Sequence, residues 1–106
     1  MVFEQSDNVL WHLVAGTRGG PNRLYILYTL SDRPCNANQL TKKLGLDYKT
    51  IKHHLEILVE NGLVRISQEK KYGELYYLTD FAKQKIKVFE KIWKKIENEN
   101  LKGRLR

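Results

Sequence analysis

Tyr48, Lys49, Lys52 and His53 are the residues of this chain whose types and spacing best suit chemistry with a partner. They fall on two successive turns of a helix whose opposite side carries Ile51, Leu55 and Leu58 at spacings of four and three. Lysine and histidine donate to phosphate or base-edge acceptors, tyrosine stacks or hydrogen-bonds, and none of the four demands burial. On the first turns of a helix, such a face suits the major groove of duplex DNA. The bland alternative is an ordinary solvated face, since surface lysine is common.

Other chemistry finds little support. The chain has one cysteine, Cys35, and three histidines, His12, His53 and His54. Neighbours on a helix point about 100° apart, so His53 and His54 do not readily share a metal. His54 sits beside the apolar stripe and reads as a hydrogen-bonded packing residue, and His12 is isolated. No three-ligand metal set can be assembled without scattered carboxylates. Gly16, Gly19 and Gly20 lack the preceding strand and the spacing of a phosphate-binding loop. No nucleophile–base pair is legible. The expectation is a chain that is not an enzyme and carries no metal and no cofactor.

The polar face needs elements to hold it, and these are written around it. Leu40 and Leu44 share one face of a short helix, Gly45 frees the chain to turn, and Asp47 suits the N-terminus of the next helix. Gly62 stands where a left-handed C-terminal cap is expected. Residues 38–61 therefore read as a helix-turn-helix, with Asn38 capping its first helix and Lys42 and Lys43 outward, towards backbone phosphates. After Gly62 the period changes to two. Leu63–Gln68 and Glu74–Leu78 read as paired strands, with Val64 and Ile66 facing Tyr76 and Leu78. A hairpin over 63–78 directly after a recognition helix is a wing, and Lys70, Lys71 and Tyr72 at its tip suit a phosphate or minor-groove contact.

The stretch LGLDYKTIKHHLEILVENGLV, Leu44 to Val64, resembles the core of ArsR-like winged-helix transcriptional regulators, small archaeal members in particular. Leu46, Thr50, Ile51, His54, Leu55, Leu58, Gly62, Leu63 and Val64 carry the likeness, which extends through Tyr76, Leu78 and Thr79. The resemblance implies a winged helix-turn-helix that binds operator DNA. It also implies that Thr50 faces a phosphate and that Tyr48, Lys49, Lys52 and His53 set the site. Metal sensing is frequent in such proteins, but the scarcity of ligands here argues against carrying it over.

At 106 residues, with 42% hydrophobic and 29% charged, the chain reads as one globular domain. Its formal charge of +7 points to a polyanion. The excess is unevenly placed: residues 38–78 carry seven basic and five acidic groups, whereas residues 83–106 carry nine and three. One cysteine, an acidic N-terminus and no long apolar run predict a cytoplasmic protein with no membrane span.

Before the motif, Ser6 or Asp7 is positioned to cap a helix running to Val14. Pro21 suits the first turn of a second helix, whose apolar rows are Leu24, Leu27, Tyr28 and Ile26, Leu30. Arg18 and Arg23 flank its N-terminus, where they either hold a phosphate or stay solvated. After the wing, residues 79–100 read as one long helix. Ala82, Ile86, Phe89, Trp93 and Ile96 recur on it as a heptad seam, widened by Val88 and Ile92. A second copy of the chain is the expected cover for that seam, with the chain's own first helix as the alternative. The fold expected is mainly α with a small β-hairpin, a winged helix-turn-helix with a C-terminal dimerisation helix. The function expected is a homodimeric, sequence-specific regulator on double-stranded DNA. A winged-helix module for protein or RNA contacts is the alternative, and a membrane-surface protein using the basic Lys83–Lys95 helix stands behind both.

Overall fold

A computed structural model of the chain describes residues 10, 12–14, 18–71 and 73–104, with 96 and 100–104 described by backbone alone. Leu10 and 12–14 are helical, and Leu10 and Val14 are buried. The expected caps Ser6 and Asp7 lie outside the described residues. Helix α1, Gly20–Asp32, carries Pro21 in its first turn and stops at Arg33, whose extended backbone precedes Pro34. Leu24, Ile26 and Leu27 are fully buried and Leu30 nearly so, so both apolar rows of this helix face the core.

Strand β1, Cys35–Asn36, pairs antiparallel with the second wing strand. The sequence predicts only a short extended piece here, because two residues have no legible period. Helix α2, Ala37–Leu44, begins one turn-step earlier than expected: Asn36, not Asn38, is its cap. The Asn36 side chain accepts from the Gln39 amide and the Gln39 side chain accepts from the Asn36 amide, both at 2.8 Å, a reciprocal box that Asn38 has no partner to form. The chain turns at Gly45 and enters helix α3, Tyr48–Glu60.

Ile51, Leu55 and Leu58 on α3 are fully buried, as the stripe predicts. Gly62, at φ 74°, ends the helix: its amide reaches the Val59 carbonyl and the Leu63 amide reaches that of Leu58, both at 3.0 Å. This double closure needs a left-handed residue at Gly62, and the buried Leu63 folds back on Leu58. Strands β2, Val64–Glu69, and β3, Gly73–Leu78, then form the hairpin in the expected register, Val64 opposite Leu78 and Ile66 opposite Tyr76. With β1 they make an antiparallel sheet in the order β1-β3-β2.

The single helix expected over 79–100 is two helices, α4 at Asp80–Gln84 and α5 at Ile86–Arg104. Thr79 caps the first, its hydroxyl accepting from the Ala82 amide at 3.1 Å. Lys85 interrupts them, because its amide closes back onto the Phe81 and Ala82 carbonyls while its own carbonyl starts the next helix through Val88 and Phe89. Among the described side chains of α5, Phe89 and Ile92 are fully buried, with Ile86, Val88 and Trp93 partly buried against the same core. The expected seam is thereby divided. Ala82 and Phe89 lie inside the chain's own core, Ile86 and Trp93 are half-buried, and the Ile96 side chain lies outside the description.

Candidate nucleic-acid interface

The turn of the helix-turn-helix is set by local hydrogen bonds. The Asp47 carboxylate accepts from the Thr50 amide at 2.7 Å, and these bonds to Thr50 hold the carboxyl below its ordinary pKa. With α3 started there and its stripe buried, Tyr48, Lys49 and His53 stand exposed on its first two turns, Tyr48 at 51%. Thr50 is half-buried beside them. Lys42 and Lys43 are exposed at the end of α2, and the Lys43 ammonium lies 3.8 Å from the buried Cys35 sulfur. Lys70 and Lys71 are exposed in the hairpin turn, and Tyr72 lies outside the described residues.

Lys52 departs from the simple picture of an outward cation. It is half-buried, and its ammonium donates to the Tyr76 hydroxyl at 2.9 Å. That hydroxyl in turn donates to a Glu74 carboxylate oxygen at 3.3 Å. The hydrogen bond to Tyr76 raises the Lys52 pKa, while burial raises that of the Tyr76 phenol. Tyr48, Lys52, Glu74 and Tyr76, with Asn36 and Asn38, line a cleft of about 180 Å³ between the recognition helix and the wing. The sequence does not mark Tyr76 and Glu74 as neighbours of the α3 polar face. The one available signal was the phenol on the inward side of a period-two strand, since a buried tyrosine hydroxyl normally finds a partner.

On the inner side of α3, His54 is 6% exposed and its Nδ1 lies 3.3 Å from an Arg23 guanidinium nitrogen. The Arg23 Nε donates to the Leu13 carbonyl at 2.8 Å. Arg23 is therefore inside the protein, 5% exposed, and not at a surface phosphate site. A β-carbon on Gly19 would sit 2.8 Å from the His54 ring, so only glycine permits this approach. Burial, then the Arg23 charge, lowers the His54 pKa and keeps the ring neutral. His53 is exposed whereas His54 is buried, with their ring centroids 5.8 Å apart and the ring planes at 52°. Among the described residues no three of His, Cys, Asp and Glu come together as metal ligands, and no helix is long and apolar enough to cross a membrane.

Residues 20–65 match the family model described as bacterial regulatory protein, arsR family. No curated protein sequence matches the chain. Among solved structures, a probable transcriptional regulator from Pseudomonas aeruginosa is 25% identical, with 95% of this chain and 86% of that one covered at a TM-score of 0.64. The transcriptional regulator BldR from Sulfolobus solfataricus is 18% identical, covering 92% and 72% at 0.72. HlyU from Vibrio cholerae is 23% identical, covering 88% and 98% at 0.66. The likeness to these structures is one of fold, a winged helix-turn-helix.

Proposed function

We propose, from the match of residues 20–65 to the arsR-family model, that this chain is a sequence-specific, double-stranded DNA-binding transcriptional regulator that acts as a homodimer. One observation carries the reading. The first two turns of α3 leave Tyr48, Lys49 and His53 uncovered, while the same helix commits Ile51, Leu55 and Leu58 entirely to the core. A helix so held presents its N-terminal polar face to a major groove. Thr50 and Lys52 lie on the same turns. Lys42 and Lys43 flank them from α2, and Lys70 and Lys71, with Tyr72, follow on the wing, where they meet backbone phosphates or the minor groove. No metal or cofactor enters this reading, and the cytoplasm is its setting.

The homodimer rests on the edge of α5. Trp93 stays half-buried there, its ring edge-on to the exposed Tyr25 at 4.6 Å and to Tyr28 at 5.8 Å. Ile86 lies on the same helix, also half-buried. A twofold through this edge would set two recognition helices about 34 Å apart, matching successive major grooves. Because Phe89 belongs to the chain's own core, the edge and not the whole seam is the surface a second copy would cover.

Selection of bound sites from random duplex DNA tests the reading: a palindromic site with half-sites one helical turn apart is expected. If Lys42, Lys43, Lys70 and Lys71 of both protomers reach phosphates, about eight contacts in all, the log–log salt slope is near −7. A flat salt response, or no enriched sequence, would overturn it. Sedimentation of wild type against Trp93→Ala tests the assembly, and a monomeric wild type at micromolar concentration would remove the dimer.

A further inference from the structure

We propose that Lys52 is a positioning residue: through Tyr76 it fixes the recognition helix against the wing, and base reading falls to Tyr48, Lys49 and His53. The proposal rests on the DNA-binding reading above and assigns different work to neighbours on one helix face.

Tyr76 is a firm anchor. It is 2% exposed and stands in the central strand β3, opposite Cys35 on one side and Ile66 on the other. Its hydroxyl cannot follow a moving lysine without disturbing the sheet on both edges. The Lys52 ammonium donates to that hydroxyl at 2.9 Å and lies 5.6 Å from the centre of the ring. The hydroxyl then spends its own proton on Glu74, two residues back on the same strand and so on the same face. Ammonium, hydroxyl and carboxylate form one relay from the recognition helix to the wing.

The relay also divides the helix face. Tyr48 and Lys52 lie four apart and line the cleft towards the wing. Lys49 and His53, also four apart, form the adjacent row and stand exposed outside the cleft. A base contact by Lys52 would strip the Tyr76 hydroxyl of its donor and leave Glu74 facing a phosphate-rich surface without the Lys52 charge that acts on it. Keeping the relay satisfies all three groups and holds helix and wing at one angle, so that both meet the duplex together. Donation to Tyr76 also favours the charged lysine, consistent with its raised pKa.

The test uses the full chain with Lys52→Met, Tyr76→Phe, the double variant and Lys52→Arg. Each is measured on the selected duplex and on a panel carrying every single base-pair change. Lys52→Met and Tyr76→Phe are expected to weaken all duplexes by a common factor of about 3- to 10-fold, the range for one hydrogen bond. The double variant should be no weaker than either single one, because both remove the same bond. Lys52→Arg, which still donates, should recover most of the affinity with base preference unchanged. Without DNA, the Lys52 side chain followed by NMR should titrate above an ordinary lysine, and Tyr76→Phe should bring it down. A loss confined to one base position in Lys52→Met, with Tyr76→Phe unaffected, would make Lys52 a reader and overturn the proposal. Multiplicative losses in the double variant, or a Lys52 titration indifferent to Tyr76→Phe, would overturn it too. Should the wild type bind no duplex, the DNA reading fails on that result and the relay is judged by the titration alone.

Discussion

Helix α3, the second of the helix-turn-helix, and the final helix α5 are built alike and tied to the fold differently. Both bury an apolar row and turn lysines outward: Ile51, Leu55 and Leu58 beneath Lys49, against Phe89 and Ile92 beneath Lys87 and Lys94. In α3 the polar side is tied to the rest of the fold, by Asp47 at the cap, by Lys52 to Tyr76, and by His54 to Arg23 on the inner side. Among the described side chains of α5, Phe89 and Ile92 are the most buried, and Lys87 and Lys94 stand exposed. Most of the charge excess lies after residue 82, yet the constellation suited to DNA lies where the excess is small. Density of positive charge raises encounter with a polyanion. Placement of a few groups on a rigid frame is what discriminates among sequences.

The largest expected effect breaks α5. Phe89→Ala removes a fully buried ring and should cost about 3–5 kcal/mol of stability, a large share of what a small domain has. Urea unfolding measures it, and Lys87→Gln or Lys94→Gln on the outer face should stay within about 0.5 kcal/mol. A Phe89→Ala chain as stable as wild type would mean that the core does not extend to α5.

The next effect sharpens the role of α3. Tyr48→Ala and Lys49→Ala should each change preference at one base position by about 1–3 kcal/mol, read on a panel of substituted duplexes. Equal shifts across the panel would remove α3 as the reading element. A smaller and different loss is expected at the wing: Lys70→Ala should weaken all sequences alike and reduce the salt slope by about 1 per half-site, about 2 for the dimer. Lys94→Gln, on the other helix, should leave both the panel and the slope where they were.

The smallest effect is a pH slope carried by the inner side of α3. Burial and Arg23 hold the folded His54 pKa below the ordinary value, while the unfolded chain takes up the proton at about 6.5. The unfolded state thus binds the proton first as pH falls. The stabilisation is complete above about pH 6.5 and is lost as pH drops from there through the lowered folded pKa. Urea midpoints at about pH 7.5 and 5 should differ more for wild type than for His54→Gln. Equal slopes would detach the stability of the fold from this pair.

Much of the frame was legible along the chain because its signals are local. The 4–3 stripe of α3, Asp47 before it, Gly62 after it and the period-two wing each occupy a few consecutive residues, and the structure places them within a residue or so of where they read. Errors arose where a local signal had two solutions. Asn36 and Asn38 are both competent caps, and Gln39, three residues after Asn36, decided between them. The heptad over α4 and α5 was legible as apolar spacing, but the break at Lys85 comes from backbone closure that no spacing announces.

By itself the sequence determined the helix-turn-helix, the wing and its register, and that Tyr48, Lys49 and His53 of α3 turn away from the core. These follow from periodicity, capping and turn chemistry, which act over a handful of neighbours. Only the tertiary structure decided that Lys52 meets Tyr76 across 24 residues, that His54 meets Arg23 across 31, and that Phe89 serves this chain's own core. Such pairings depend on how separate elements stack, and a lysine or a phenylalanine carries the same local signature whichever partner the fold brings to it.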